Sequence, residues 1–115
     1  MSLPEAQLRG CLRAIGAFLD KRRPPPEIRD QLDFRADIKG SEVVIMEVRP
    51  AYNGKNRTIE HPVAKAKWIG TEKAWRLFWM RADLKWHTYE PAARFKTIAK
   101  ILDEVDRDPY GCFFG

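Results

Sequence analysis

Hydrophobic residues recur every three or four positions near both ends of the chain. The N-terminal stripe consists of Leu8, Leu12, Ile15, Phe18 and Leu19. The C-terminal stripe consists of Phe95, Ile98, Ala99, Leu102 and Val105. Because this spacing places the apolar side chains on one face of a helix, two amphipathic helices are predicted, one near each end of the chain.

Local signals bound these helices. Ser2 and Glu5 have the spacing of a capping box, and three consecutive prolines at 24–26 end the first helix. Pro91 occupies the expected first position of the second helix. The apolar tail that follows it, 112–114, is expected to dock on the core.

Between the helices, hydrophobic and polar positions alternate, which is typical of half-buried strands. Strands are predicted over residues 32–39, 43–48, 64–69 and 75–86, with Gly40-Ser41 as a hairpin turn and 51–62 as the longest loop. No connection is long enough for a parallel crossover. The predicted fold is therefore α+β: a single domain over 1–115, with a four-stranded antiparallel meander flanked by an N-terminal and a C-terminal helix.

The stretch from Trp75 to Tyr89 is rich in aromatic and ionisable residues. Treated as one strand, it has an even row predicted to face the core: Arg76, Phe78, Met80, Ala82, Leu84 and Trp86. The odd row begins with Trp75, Leu77 and Trp79 and continues with Arg81, Asp83, Lys85, His87 and Tyr89. The apolar half of the odd row is expected to be covered, and its ionisable half to meet solvent or a ligand, with about 7 Å between successive side chains.

Two hairpin registers extend this hypothesis. A turn at Gly40-Ser41 pairs Phe34 with Glu47, so that Glu47 and Arg49 lie on the presumed core side. A charged pair there is costly unless it is compensated, so an ion pair of Glu47 with Arg49 or with Arg81 is favoured. The alternative is a pocket lined by Glu47, Arg49, Asp83, Lys85 and His87. In the second hairpin, symmetry about Lys73 would place Lys65 and Lys67 opposite Arg81 and Trp79.

The amino-acid composition excludes few classes of function. Twenty-one basic and sixteen acidic residues give a net charge of +5, which permits an anionic partner and is also typical of a soluble domain. Cys11 and Cys112 form no metal-binding pair, so reduced thiols in the cytoplasm are expected, although a disulfide between them stays open. No apolar run has the length of a signal peptide core or a membrane span, and no membrane partner is predicted.

Several blocks of sequence resemble a known family. They are Glu47-Val48-Arg49-Pro50, Ala64-Lys65, the stretch from Trp79 through Arg81-Ala82-Asp83-Leu84-Lys85-Trp86-His87 to Tyr89, and Asp108-Pro109-Tyr110-Gly111-Cys112-Phe113-Phe114-Gly115. They are similar to the bacterial domain of unknown function family 3024. The resemblance covers nearly the whole chain. It implies a small bacterial protein and carries no established activity with it.

The candidate catalytic and metal-binding motifs in the sequence do not have the residue spacing that their chemistry requires. Asp37, Glu47 and Arg49 follow the order of a metal-dependent nuclease, but the predicted register puts Asp37 and Glu47 on opposite faces. The segment from Asp106 to Gly111 lacks the remaining ligands of a calcium loop. His61 and His87 form no zinc motif. No metal or cofactor is therefore predicted.

Three function classes remain. The first is a binding or interaction domain whose mixed-charge aromatic patch takes an anionic ligand or a protein partner, including a second copy of the chain. The second is a single-stranded nucleic-acid binding module, and the third is an enzyme acting on a small anionic substrate. The candidate binding residues are Glu47, Arg49, Arg81, Asp83, Lys85, His87 and Tyr89.

Overall fold

The computed structural model describes residues 3–51 and 58–114. Its helices are α1 (Glu5–Arg22) and α2 (Ile98–Arg107). Its strands are β1 (Asp33–Lys39), β2 (Glu42–Pro50), β3 (Thr58–Ile69), β4 (Ala74–Met80), β5 (Trp86–Thr88) and β6 (Arg94–Phe95). Short 3₁₀ turns span Pro26–Ile28 and Glu90–Ala92.

The strands form one antiparallel sheet in the order β1-β2-β3-β4-β5, and β6 also pairs with β4. Buried side chains of both helices share one hydrophobic cluster with one face of this sheet. The predicted α+β architecture is confirmed. Six strands replace the predicted four, because the end of the fourth strand turns back on itself and a short sixth strand precedes α2.

The first hairpin has the predicted register. Phe34 pairs with Glu47 and Ile38 with Val43. Gly40 has a φ of 60°, a left-handed conformation that glycine adopts without a steric penalty. Alternation from this turn fixes which side chains of β1 and β2 face the helices.

The prediction of one long strand from Trp75 to Trp86 is wrong. Strand β4 ends at Met80, and residues 81–85 form a tight turn that returns the chain antiparallel to β4. The turn is closed by hydrogen bonds from the Arg81 amide to the Lys85 carbonyl and from the Leu84 amide to the Arg81 carbonyl. Leu84 has a φ of 62°, the left-handed conformation that ends a type I turn in many hairpins. Without a glycine there, alternation alone gave no sign of the turn.

The prediction that the even row of β4 faces the core is wrong. Trp75 and Leu77 are completely buried in the core, whereas Arg76, Phe78 and Met80 are only partly buried. The Trp75 indole donates a hydrogen bond of 3.3 Å to Gln7 of α1. The helices thus cover the odd row, as expected for its first half, and the even row lies on the opposite face.

The second hairpin differs from the predicted register by three residues. Lys65 pairs with Phe78 and Lys67 with Arg76, because the turn at 70–73 is not symmetric about Lys73. Strand β3 also begins six residues earlier than predicted, at Thr58. The register shifts where Ile45 pairs with Ala64 and Met46 with Pro62. Residues 52–57 of the predicted loop lie outside the described residues.

Both helix starts differ from the sequence prediction. Pro4 is the N-cap of α1, and Ser2 of the proposed capping box lies outside the described residues. Pro91 belongs to a 3₁₀ turn, and α2 begins at Ile98, where the Thr97 side chain accepts a 3.2 Å hydrogen bond from the Lys100 amide. Neither helix is long and apolar enough to cross a bilayer.

The C-terminal tail docks on the core as predicted. Asp108 ends α2 in a left-handed conformation, and its carboxylate accepts hydrogen bonds from the amides of Phe113 at 3.1 Å and Phe114 at 2.8 Å. Phe113 is buried against the Tyr89 ring, and Phe114 meets Phe34 of β1 edge-on. The tail therefore runs across the helix side of the sheet.

Candidate functional site

Polar and aromatic side chains gather at the sheet end where β2 passes to β3 and β4 to β5. By alternation, Glu47 and Arg49 of β2 face the helix side. So does Trp79 of β4, whose partner across the ladder is His87 of β5. Beyond the reach of the helices, these residues border two separate clefts.

The larger cleft lies beside the C-terminal tail and is called here the aromatic cleft. It has a volume of about 500 Å³, within the range of ligand sites in proteins. Strand β4 and the turn after it supply one wall, β5 and the following 3₁₀ turn supply another, and the tail supplies the third. The lining residues are Trp79, Arg81, His87, Thr88, Glu90, Pro91, Tyr110 and Cys112.

Arg81 and Trp79 form a cationic and aromatic pair in this cleft. The guanidinium carbon of Arg81 lies 5.4 Å from the centre of the Trp79 ring, within the range of a cation–π contact. Arg81 is exposed and Trp79 is partly buried. A guanidinium in such a contact keeps N–H donors for an anionic group.

His87 is oriented by the tight turn. Its Nε2 lies 2.8 Å from Oδ2 of Asp83, and the other Asp83 oxygen accepts the Lys85 amide at 2.9 Å. The hydrogen bond from His87 lowers the pKa of Asp83 below its ordinary value, with a smaller contribution from the Lys85 amide. Within the described residues, Nδ1 of His87 makes no hydrogen bond, which leaves it to a ligand.

Tyr110 and Cys112 differ in what they offer the cleft. The Tyr110 ring is 67% exposed, which is unusual for a residue of its size and makes it available for stacking. Burial, and then the nearby carboxylate of Asp108, raises the pKa of the Cys112 thiol. A thiol with a raised pKa is a weaker nucleophile at neutral pH.

The second cleft, called here the hairpin cleft, lies between the arms of β2 and β3. It has a volume of about 430 Å³ and is lined by Glu47, Arg49, Pro50, Ile59 and His61. Arg49 Nη2 lies 3.2 Å from a Glu47 oxygen, so the Glu47–Arg49 form of the predicted ion pair is present. His61 pairs with Glu47 across the ladder.

The structure does not bring the seven predicted residues into one pocket. Strands β3 and β4 separate Glu47 on β2 from His87 on β5, a distance of about 14 Å at the usual strand spacing. Arg81 and His87 share the aromatic cleft, and Asp83 orients His87. The predicted straight line of ionisable side chains is wrong, because the turn at 81–85 replaces a strand.

Three of the seven residues, Asp83, Lys85 and Tyr89, line neither cleft. Lys85 is exposed in the turn, and its backbone bonds to Arg81 and Asp83 hold the turn closed. Tyr89 is completely buried, and its hydroxyl donates a 2.6 Å hydrogen bond to Glu104 of α2. Tyr89 therefore lies in the core, contrary to the predicted surface position.

The sequence did not predict Thr88, Glu90, Pro91, Tyr110 and Cys112 as residues of the aromatic cleft. The apolar residues 112–114 predicted that the tail would dock on the core, but they did not predict where. No spacing rule could place that tail beside His87, since the contact depends on tertiary packing.

The described ranges contain no group of three or more His, Cys, Asp or Glu side chains that could hold a metal ion. Cys11 and Cys112 are both free thiols, so the disulfide left open by the sequence is not formed.

Comparison with known proteins identifies a family. The sequence model of a domain of unknown function (DUF3024) matches residues 3–115. No curated protein and no solved structure matches the chain.

Proposed function

We propose that this chain, which belongs to the DUF3024 family, binds a small anionic ligand with a planar ring in the aromatic cleft. The observation that carries the proposal is the Arg81–Trp79 pair facing an exposed Tyr110 in a cleft of about 500 Å³. Aromatic rings offer stacking surfaces, and a guanidinium recognises a carboxylate or phosphate.

The remaining lining residues define the ligand further. His87 donates its Nε2 proton to Asp83, so Nδ1 of the neutral ring is a hydrogen-bond acceptor and suits an amino or hydroxyl group of the ligand. Glu90 supplies a carboxylate at the opposite wall and would accept a hydrogen bond from an amino or hydroxyl group. The preferred ligand therefore combines an acidic group, a planar ring and a hydrogen-bond donor.

The test uses nuclear magnetic resonance on the ¹⁵N-labelled protein. The side-chain N–H signals of the four tryptophans are assigned by single substitutions and followed during titration with tyrosine, 4-hydroxyphenylacetate, benzoate and adenosine monophosphate. A ligand of the proposed class shifts the Trp79 signal and leaves the signal of buried Trp75 in place. Arg81→Gln is expected to weaken binding about tenfold or more, the loss typical of a charged hydrogen bond.

Arg9→Gln is the matched control, because Arg9 is an exposed arginine on α1 whose ion pair is with Glu5 of the same helix. It removes the same charge and is expected to leave the affinity unchanged. If none of the four compounds shifts the Trp79 signal, or if Arg9→Gln weakens binding as much as Arg81→Gln, the proposed cleft site is wrong.

A second candidate function is an enzyme acting on a small anionic substrate. The observation that favours it is the 2.8 Å contact between His87 and Asp83, since a carboxylate-oriented imidazole is suited to general acid–base catalysis. Chromatography of a bound compound before and after incubation separates the two functions. Recovery of unchanged compound supports binding alone, whereas a product that His87→Gln no longer forms supports catalysis.

The proposal includes the cellular setting expected from the sequence. It places one domain over 1–115 in the bacterial cytoplasm, and two free thiols are consistent with a reducing compartment. Size-exclusion chromatography with light scattering tests the expected possibility of a homodimer against the monomer mass of 13.4 kDa.

A further inference from the structure

The sheet face opposite the helices carries a second surface, called here the open face. By alternation and register it presents Val44, Met46, Lys65, Lys67, Arg76, Phe78, Met80 and Trp86. In the described part of the chain no helix packs on this face, because the buried residues of α1 and α2 all belong to the core on the other side. The surface is distinct from both clefts.

Two aromatic rings stand next to each other on this face. Phe78 of β4 and Trp86 of β5 are both partly exposed. The Lys65 ammonium nitrogen lies 4.9 Å from the centre of the Phe78 ring and 5.3 Å from that of Trp86. Because one cation reaches both rings, their faces are directed toward a common space that the Lys65 ammonium occupies, and a base that stacks there would replace this flexible side chain.

A row of basic residues crosses the same face next to the rings. Lys67 pairs with Arg76 across β3 and β4, and Arg76 pairs with Arg94 across β4 and β6. Arg76 lies two residues from Phe78, about 7 Å along the strand. The basic row therefore runs beside the aromatic pair at the spacing of neighbouring strands, about 5 Å per step.

Acidic residues neutralise this row only in part. Glu72 forms ion pairs with Arg76 at 2.8 Å and with Arg94 at 3.2 Å, and Glu42 lies 3.7 Å from Lys65. Two carboxylates thus face four cations, at Lys65, Lys67, Arg76 and Arg94. Around the basic row and Lys65 the cations therefore exceed the carboxylates by two.

We infer that the open face binds single-stranded nucleic acid, with bases stacked on Phe78 and Trp86 and phosphates held by Lys67, Arg76 and Arg94. Aromatic rings beside a basic track on an exposed sheet are the features by which proteins hold single strands. A protein partner fits less well, because the centres of protein interfaces are depleted in charged side chains and Lys65 stands between the two rings. The face is the opposite one from the odd row on which the sequence placed this function.

The experiment measures fluorescence anisotropy of labelled oligo-dT and oligo-U about ten nucleotides long, with the full chain at 50 and 200 mM salt. Three phosphate contacts predict a slope of about −2 in log affinity against log salt, hence a loss of about twentyfold between the two conditions. Comparing dT with U shows whether the sugar contributes.

Two substitutions locate the site. Arg94→Gln is expected to weaken binding and to reduce the slope by about 0.7, the effect of one phosphate contact on a single strand. Lys100→Gln removes the same charge from an exposed position on α2, on the helix side, and is expected to leave binding unchanged. Trp86→Leu is expected to weaken binding about tenfold, whereas Trp86→Phe keeps a stacking ring and most of the affinity. Circular dichroism checks that each variant is folded.

Three outcomes would overturn the inference. The first is no salt-sensitive binding of either oligonucleotide at about 100 μM protein, the weak limit for non-specific binding. The second is an equal loss in Arg94→Gln and Lys100→Gln. The third is a dimer that Trp86→Leu converts to a monomer, which would assign the open face to a second copy of the chain. Arg81→Gln changes only the aromatic cleft, so unchanged oligonucleotide binding in that variant separates this inference from the proposed function.

Discussion

The guanidinium carbon of Arg22 lies 3.7 Å from the centre of the Phe114 ring. The same guanidinium donates 3.2 Å hydrogen bonds to the carbonyl and the carboxylate of Asp106. One side chain of α1 therefore contacts both α2 and the C-terminal tail. Since the tail forms one wall of the aromatic cleft, this contact connects the packing of the helices to the candidate site.

Phe114→Ala is expected to lower the free energy of unfolding by about 2 kcal/mol, below the loss for a fully buried phenylalanine because Phe114 is only partly buried. Arg22→Gln should cost about 1 kcal/mol. The double variant should cost less than the two single losses together, because both remove the same contact. Urea unfolding measures all three, with Arg9→Gln as an exposed control. Strict additivity would contradict the coupling.

Tyr89→Phe tests the assignment of Tyr89 to the core. Loss of the hydrogen bond to Glu104 should lower stability by about 1–2 kcal/mol and leave the affinity for cleft ligands unchanged. If the variant has normal stability but binds cleft ligands more weakly, Tyr89 belongs to the binding site and its assignment to the core is wrong.

Tyr89 also predicts how stability changes in alkaline solution. Burial, and then the hydrogen bond to Glu104, raises the pKa of Tyr89 above its ordinary value of 10.0. The folded protein therefore keeps this proton after the unfolded chain has lost it, so stability is maintained below pH 10 and falls as the pH rises further. Urea unfolding at several pH values measures the slope above pH 10, which should be smaller in Tyr89→Phe.

Leu84→Gly is expected to raise stability by about 1 kcal/mol. The leucine has a φ of 62° and its side chain is 72% exposed, so glycine removes a steric penalty and almost no packing. Leu84→Ala retains the penalty and should be neutral. Chemical denaturation compares the two, and a loss of stability in Leu84→Gly would show that the leucine side chain packs more than its exposure indicates.

Asp106 predicts sensitivity to acid. Hydrogen bonds donated by Lys21 and then Arg22 lower the pKa of Asp106 below 3.8, so the unfolded chain takes up this proton at a higher pH than the folded one. Its contribution to stability is present above pH 3.8 and is lost as the pH falls through the folded pKa. Asp106→Asn should lower the free energy of unfolding by about 1–2 kcal/mol at pH 7. Its stability should also fall less steeply as the pH is lowered, and thermal unfolding between pH 7 and pH 2 measures both effects.

The two thiols should differ in reactivity. Cys11 is completely buried, and burial raises its pKa to about 11, whereas Cys112 is partly exposed in the aromatic cleft. A disulfide-exchange reagent should modify Cys112 slowly in the native protein and Cys11 only after unfolding. Mass spectrometry of the intact protein checks the order, and equal rates would contradict the burial of Cys11.

The pattern of hydrophobic and polar residues determined the local structure that depends on neighbours in sequence. Helical spacing at Leu8 to Leu19 and at Ile98 to Val105 located α1 and α2, and the turn at Gly40 fixed the register of β1 with β2. The charge of Glu47 on an apolar face predicted an ion pair with Arg49 or with Arg81, and the pair with Arg49 is present. Each of these follows from periodicity, turn geometry or the cost of burying a charge.

Only the tertiary structure determined which residues line the aromatic cleft and which lie on the open face. A leucine can adopt the left-handed turn conformation when the surrounding hydrogen bonds hold it, so the alternation of hydrophobic and polar residues did not predict the turn at Leu84. Because of this turn, the residues from Arg81 to Tyr89 do not form the predicted row. The alternation of side chains along β4 assigned odd and even residues to opposite faces. Only the docking of the helices determined that Trp75 is buried and Phe78 is not. The aromatic cleft joins β4, β5 and the tail across more than thirty positions of sequence, a distance over which packing, and not local preference, selects the partners.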